Sequence, residues 1–64
     1  DAIEQALAKL NDKYRVVLYL KLYEDLTSQQ IAEQLGTRES AVRMRIMRGL
    51  ELLRKELRRK GFEP

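Results

Sequence analysis

Four arginines and two methionines fall within twelve residues of the chain, RESAVRMRIMRG at positions 38–49. A guanidinium group donates hydrogen bonds in a planar fork that fits a phosphate or the edge of a guanine base. A methionine side chain is apolar and adaptable, so it suits contact with a base or a thymine methyl group. Together these residue types favour contact with a nucleic acid, provided that one surface presents them.

A helix would bring most of these side chains to one surface. At about 100° of rotation per residue, with Val42 facing inward, the outward arc holds Ser40, Arg43, Met44, Met47, Arg48 and Glu51. Arg45 lies to one side, where we expect a contact with a phosphate or within the chain. For an arbitrary helix, a charged face is most often simply solvated. The interpretation therefore depends on the elements that position this segment.

The sequence before residue 27 predicts two helices. Asp1 is a candidate N-cap for AIEQALAKL, whose apolar residues follow helical spacing: Ile3, Ala6, Leu7 and Leu10. Asn11 and Asp12 then provide the cap and first turn of KYRVVLYLKLY. This second helix is apolar nearly all round, which places it at the centre of a bundle. The alternative for VVLYLKLY is a buried strand, but the sequence offers no second strand to pair with it.

Two further helices complete the prediction. Thr27 and Gln30 form a capping box before SQQIAEQL, which turns Ile31, Ala32 and Leu35 inward and ends at Gly36. The fourth helix runs from about Glu39 to Arg59, and its predicted core stripe is Val42, Ile46, Gly49, Leu50, Leu53 and Leu57. Gly61 and Pro64 mark its end, and Leu52 is expected to lie off the stripe.

The predicted fold class is therefore all-α, a small four-helix domain with a C-terminal helix-turn-helix. Ala32 is small enough for the last two helices to approach each other, and Gly36 permits the turn between them. A helix that projects from such a unit fits the major groove of duplex DNA, where each base pair presents a distinct edge.

Composition excludes several other kinds of function. The chain has 64 residues with no cysteine and no histidine, so we expect no disulfide, no metal site, no cofactor and no catalytic residues. Glu24 and Asp25 are the only adjacent carboxylates and are read as a turn feature. The tyrosines at positions 14, 19 and 23 are read as core-rim residues rather than a platform for stacking single strands.

Length and charge bound the organisation of the chain. A single domain is expected over residues 1–64, as a fragment of a longer protein because the first residue is Asp. No apolar run approaches the roughly 20 residues of a membrane span. Residues 1–36 carry four Lys/Arg and six Asp/Glu, whereas residues 37–64 carry nine and four, so the second part is basic. The basic end of the chain is thus the end that holds the projecting helix.

From Leu10 to about Leu57 the chain resembles region 4 of bacterial sigma factors, especially the extracytoplasmic-function group. The residues that carry the resemblance are Leu10, Arg15, Val17, Leu18, Leu20, Glu24, Leu26, Thr27, Ile31-Ala32-Glu33, Leu35-Gly36, Glu39, Val42, Arg45, Arg48 and Leu53-Arg54. The resemblance implies recognition of the minus-35 element of double-stranded promoter DNA and binding to the flap of the RNA polymerase β subunit. An anti-sigma factor is a further implied partner.

The same resemblance implies a set of DNA-binding residues: Arg38, Glu39, Ser40, Arg43, Met44, Met47 and Arg48, with Arg45 adding attraction for phosphate. The implied location is the bacterial cytoplasm, at the nucleoid. We expect the isolated domain to be a monomer. We also expect that it does not start transcription alone, because the family's promoter-melting region is not in these residues.

Several positions depart from the family pattern. Arg38 stands where a serine commonly caps the last helix, which leaves Thr37 as a poorer candidate cap, and Gly49 replaces the usual alanine. Met44 and Met47 replace small polar side chains, and with Leu52 they suit a protein-binding surface as well as a DNA-binding one. Two alternatives stay open: a sigma-like module that binds an anti-sigma factor or RNA polymerase without strong DNA binding, and the DNA-binding output domain of a response regulator.

Overall fold

A computed structural model describes residues 1–61, which form four α-helices and no strand. They are α1 (Ala2–Ala8), α2 (Asp12–Leu22), α3 (Ser28–Leu35) and α4 (Glu39–Arg59). The all-α prediction is confirmed, and the strand alternative is wrong because VVLYLKLY lies in α2, except for its last residue, Tyr23, which is the C-cap. Gly61 follows α4 with a φ of 94°, while the other predicted stop signal, Pro64, lies outside the described residues.

Short polar side chains fix where the first three helices begin. The Asp1 carboxylate accepts a hydrogen bond from the Glu4 N–H at 2.8 Å, and the Asn11 side chain accepts one from the Lys13 N–H at 3.1 Å. Thr27 caps α3 in the predicted capping box. At α4 the expectation is wrong: Arg38, not Thr37, occupies the N-cap position, and its side chain makes no capping hydrogen bond.

The core is a single cluster to which all four helices contribute. Its buried members are Ala6, Leu7, Leu10, Val17, Leu18, Ile31, Ala32, Val42 and Leu53. The long helix α4 packs against each of the other three. Gly49 allows the close approach of α2 and α4, because a Cβ atom there would lie 3.0 Å from Leu18 Cδ1. Thus α4 is held along one side by the rest of the domain.

Several side chains predicted to be buried are exposed. Ile3, Leu35 and Leu50 are 43%, 38% and 39% exposed, and α2 is not buried all round, since Val16 and Leu22 lie partly in solvent. Four helices in so small a domain cannot cover every apolar side chain, so more side chains follow the apolar spacing than are buried.

Leu52 differs from its prediction in the opposite direction. It is half-buried and packs against the core instead of lying off the stripe. It also lines a surface depression together with Lys9 and Leu10, the two residues that directly follow α1. Packing near these two residues therefore widens the buried side of α4 beyond the stripe expected from its own sequence.

Candidate nucleic-acid interface

The turn between α3 and α4 sets the angle at which α4 projects. Gly36 adopts the left-handed conformation with a φ of 68°, and the Thr37 N–H donates to the Ala32 carbonyl at 3.0 Å. On the inner side, Ile31 and Val42 are fully buried. The predicted helix-turn-helix is therefore present, with a fixed junction and one side of α4 directed away from the core.

The outward arc of α4 agrees with the helical prediction. Met44 is 64% exposed and Met47 61% exposed, the largest values for large hydrophobic side chains in the described part of the chain. The other members of the arc are also exposed: Ser40, Arg43, Arg48 and Glu51. Of the remaining predicted site residues, Arg38 is exposed, whereas Glu39 and Arg45 are half-buried. We call the set Arg38, Glu39, Ser40, Arg43, Met44, Met47 and Arg48 the α4 front.

One ion pair lies within the α4 front. Arg43 Nη2 is 2.9 Å from Glu39 Oε2, one helical turn earlier, and the Arg43 side chain remains 68% exposed. Exposed pairs with this spacing contribute only about 0.3–0.5 kcal/mol. Arg43 can therefore exchange the Glu39 carboxylate for a phosphate or a base edge at little energetic cost.

A shallow groove between α2 and α4 adjoins this front. Its lining residues are Lys13, Tyr14, Ala41, Met44, Arg45 and Arg48. Lys13 Nζ lies 5.1 Å from the centroid of the Tyr14 ring, so the cation rests against an aromatic face. Three cationic side chains from two helices thus surround one concave surface, an arrangement that attracts a phosphate. We call this surface the α2–α4 groove.

Sequence reasoning missed Lys13 as a functional candidate. Its position in the first turn of α2 gives no sign of a ligand, because only the packing of α2 on α4 brings it beside Arg45 and Arg48. The lateral position predicted for Arg45 agrees with its place in this groove. Tyr14 packs against the core cluster as a rim residue, as expected.

A second surface lies on the outer side of α2. Val16, Tyr19 and Tyr23 are 39%, 49% and 42% exposed, and the rings of Tyr19 and Tyr23 lie 5.1 Å apart. The prediction that all three tyrosines are core-rim residues is therefore wrong for these two. Arg15 and Leu20 complete this surface, and Arg15 pairs with Asp12. We call Arg15, Val16, Tyr19, Leu20 and Tyr23 the α2 face.

Other kinds of site receive no support from the described residues. Within residues 1–61 no three or more Asp or Glu side chains converge as they would around a metal ion. Glu24 and Asp25 lie in the loop between α2 and α3, where Asp25 has a φ of 57° that is typical of a turn. No helix in this part of the chain is both long enough and apolar enough to cross a bilayer.

Comparison with known proteins agrees with the geometry. The family model described as Sigma-70, region 4 matches residues 1–53, which include the first three helices, the α4 front and the α2–α4 groove. The chain belongs to the Sigma-70, region 4 family. Members of this family are promoter-recognition domains of sigma factors and are not catalytic domains. The match ends before the basic segment at residues 54–60.

Two relatives from Bacillus subtilis (strain 168) support the assignment. The ECF RNA polymerase sigma factor SigW is 45% identical over 58 residues, covering 91% of this chain and 31% of the relative. The RNA polymerase sigma factor SigV is 34% identical over 55 residues, covering 86% of this chain and 33% of the relative. The region 4 chain therefore spans about a third of the length of these relatives. Membership of the sigma family decides against the response-regulator alternative.

Proposed function

We propose that this chain binds duplex DNA at the minus-35 promoter element, with the α4 front in the major groove, and that it does so as part of a sigma factor that directs RNA polymerase in transcription initiation. The observation that carries the proposal is the exposure of the two methionines and of Arg43 and Arg48 opposite the buried Val42. A projecting helix with cationic and apolar side chains on its outer side can both attract and read a duplex.

The two kinds of DNA contact fall to different residues. Arg38, Arg43 and Arg48 are exposed cations that meet phosphates and, in part, guanine edges. Glu39, Ser40 and Met44 discriminate bases at the front of the helix. In the α2–α4 groove, Lys13 and Arg45 hold a flanking phosphate and thereby fix the register of the helix on the duplex.

For the polymerase, we assign the flap of the β subunit to the α2 face. Val16, Tyr19 and Tyr23 give this surface an exposed apolar part, and it lies on a different helix from the α4 front. Large exposed apolar side chains that lie together are typical of protein interaction sites. A flap fragment should bind the chain in pull-down or titration experiments, and Tyr19→Ala should weaken that binding without changing affinity for DNA.

A second candidate function is binding to an anti-sigma factor in place of DNA. The observation that favours it is the exposure of Met44 and Met47, since flexible methionine side chains suit adaptable protein surfaces. Leu52 no longer supports this candidate, because it packs against the core.

The decisive experiment is selection of the chain's targets from a randomised duplex library at two salt concentrations. We expect one short motif to be enriched and affinity to fall steeply as salt rises. Met44→Ala should then change the selected bases more than the overall affinity. Weak binding without an enriched motif would reject DNA recognition and leave the anti-sigma candidate, which binding to a cognate anti-sigma protein would test.

A further inference from the structure

All the sulfur in this chain lies in two side chains of the α4 front. The sequence contains two methionines and no cysteine. Met44 and Met47 are three residues apart, which makes them neighbours on the helix surface, and both are more than half exposed. Neither belongs to the buried core cluster. An oxidant that reacts with sulfur would therefore modify this domain only within the surface proposed to bind DNA.

We infer that Met44 and Met47 form an oxidation-sensitive switch on DNA binding, in which a hydroperoxide converts the thioethers to sulfoxides and lowers affinity for the duplex. The inference rests on the proposed function and adds a means of regulation to it. In the reaction the sulfur attacks one peroxide oxygen and the O–O bond breaks. The sulfur keeps that oxygen and is oxidised by two electrons, while the proton of that oxygen passes to the reduced second oxygen, which leaves as water when the oxidant is hydrogen peroxide.

The change in polarity lowers affinity in two ways. A sulfoxide oxygen is a hydrogen-bond acceptor, so burying it against a thymine methyl or a base leaves it without a donor. Met44 also lines the α2–α4 groove beside Arg45 and Arg48. A sulfoxide there would accept hydrogen bonds from these guanidinium groups, which the proposed complex needs for phosphates.

The position of the two methionines also makes the switch compatible with a folded chain. Oxidation of a core methionine inserts a polar group into packed apolar surroundings and destabilises the fold. Here the fully buried side chains are aliphatic, among them Leu18, Ile31, Val17 and Val42, and both methionines are open to solvent. The oxidised chain therefore keeps its helices, and methionine sulfoxide reductases can reach both sites to reverse the change.

The experiment treats the 64-residue chain with hydrogen peroxide until its mass has risen by two oxygen atoms, and then measures its affinity for the duplex selected above. We expect affinity to fall by about tenfold or more, with an unchanged helical circular dichroism spectrum. Incubation with methionine sulfoxide reductases A and B and a thiol reductant should restore binding. Loss of the helical spectrum on oxidation would overturn the inference, because the effect would then be damage to the fold.

Matched variants assign the effect to the α4 front. In M44L/M47L, whatever its starting affinity, the ratio of affinities before and after peroxide should be one. Adding Leu22→Met to that variant places a thioether on α2 at a position that is 47% exposed, and its oxidation should again leave affinity unchanged. A peroxide effect in either variant, or no effect in the parent chain, would overturn the inferred switch but leave the proposed function standing. A reduced parent chain that selects no duplex motif would overturn the proposed function and the switch with it.

Discussion

The two helices of the helix-turn-helix have differently stabilised first turns. At the start of α3, the Thr27 side chain accepts from the Gln30 N–H at 3.1 Å, and the Gln30 side chain accepts from the Thr27 N–H at 2.9 Å. At the start of α4, the N-cap residue is Arg38, and its side chain caps nothing. The α3 start is therefore satisfied within the chain, whereas the first N–H groups of α4 have no side-chain partner.

This difference indicates different roles for the two helices. The short α3 acts as a support, fixed at one end by its capping box and at the other by Gly36. The much longer α4 is held through its inner side, and its uncapped N-terminus belongs to the surface proposed to meet DNA. An uncapped helix N-terminus favours anions, because its free N–H groups and the helix dipole both attract negative charge.

The largest expected effect comes from removing the inner contacts that hold α4. Leu53 is 6% exposed, so Leu53→Ala should lower the free energy of unfolding by about 2–5 kcal/mol. Since a domain of this size has roughly 3–10 kcal/mol in total, part of the population should unfold. Urea titration followed by circular dichroism measures the loss. Lys55→Ala, on the exposed side of α4, should change stability by less than about 0.5 kcal/mol, and equal losses would contradict this account.

Substitutions on the outer side of α4 should instead weaken DNA binding and leave the free energy of unfolding nearly unchanged. Arg43→Ala combined with Arg48→Ala should lower the slope of log affinity against log salt by about 1.8 if each side chain contacts one phosphate. Affinity near physiological salt should then fall by on the order of 25-fold, while the free energy of unfolding changes by less than about 0.5 kcal/mol. Salt-dependent fluorescence anisotropy with the selected duplex provides the measurement.

A charge-matched control keeps that result specific. Arg58 is exposed near the C-terminal end of α4, about 15 Å along the helix axis from Arg48. Each single variant, Arg43→Ala or Arg48→Ala, should lower the slope by about 0.9, whereas Arg58→Ala removes the same single charge and should leave the slope unchanged. If the slope falls equally for Arg43, Arg48 and Arg58, general electrostatic attraction accounts for binding and the α4 front is not the interface.

Local signals in the sequence were sufficient for the boundaries of α3 and α4. The capping box at Thr27, the turn at Gly36 and the span from Glu39 to Arg59 all depend on interactions within a few residues, and the structure agrees with each. The burial of each side chain could not be predicted in the same way, because it depends on which other parts of the chain pack against it. Leu50 follows the helical period but remains 39% exposed. Leu52 breaks the period, yet it is partly buried against the core, near the residues that follow α1.

The same distinction holds for the candidate site. The exposure of Met44, Met47 and Arg48 follows from helical geometry once Val42 faces inward, so the sequence predicts it. The α2–α4 groove does not follow, because Lys13 and Arg45 are separated by more than thirty residues in the chain and meet only through packing. The assignment of these residues to DNA contact stays a prediction.

The capping box of α3 gives a smaller and purely structural effect. Thr27→Ala should lower the free energy of unfolding by about 1 kcal/mol, because the Gln30 N–H loses its partner. Gln29 lies one residue away in sequence from Gln30 and is exposed, so Gln29→Ala serves as the matched control and should have a negligible effect. Thermal unfolding of the two variants side by side tests the difference. A Thr27→Ala variant as stable as the control would mean that α3 depends on its buried side chains alone.

The smallest expected change in stability is at the start of α4, where two variants separate the effect of the missing cap from the effect of the charge. Arg38→Ser supplies the missing cap, while Arg38→Ala removes the same charge without supplying one. We expect the serine variant to be more stable than the alanine variant by about 0.5–1 kcal/mol in urea titrations.

Both variants of Arg38 should lose about 0.9 from the salt slope if Arg38 contacts one phosphate. If a phosphate also uses the free N–H groups of α4, the serine hydroxyl competes with it, and the more stable variant should bind the selected duplex more weakly. Equal affinities would restrict the role of this terminus to the Arg38 side chain.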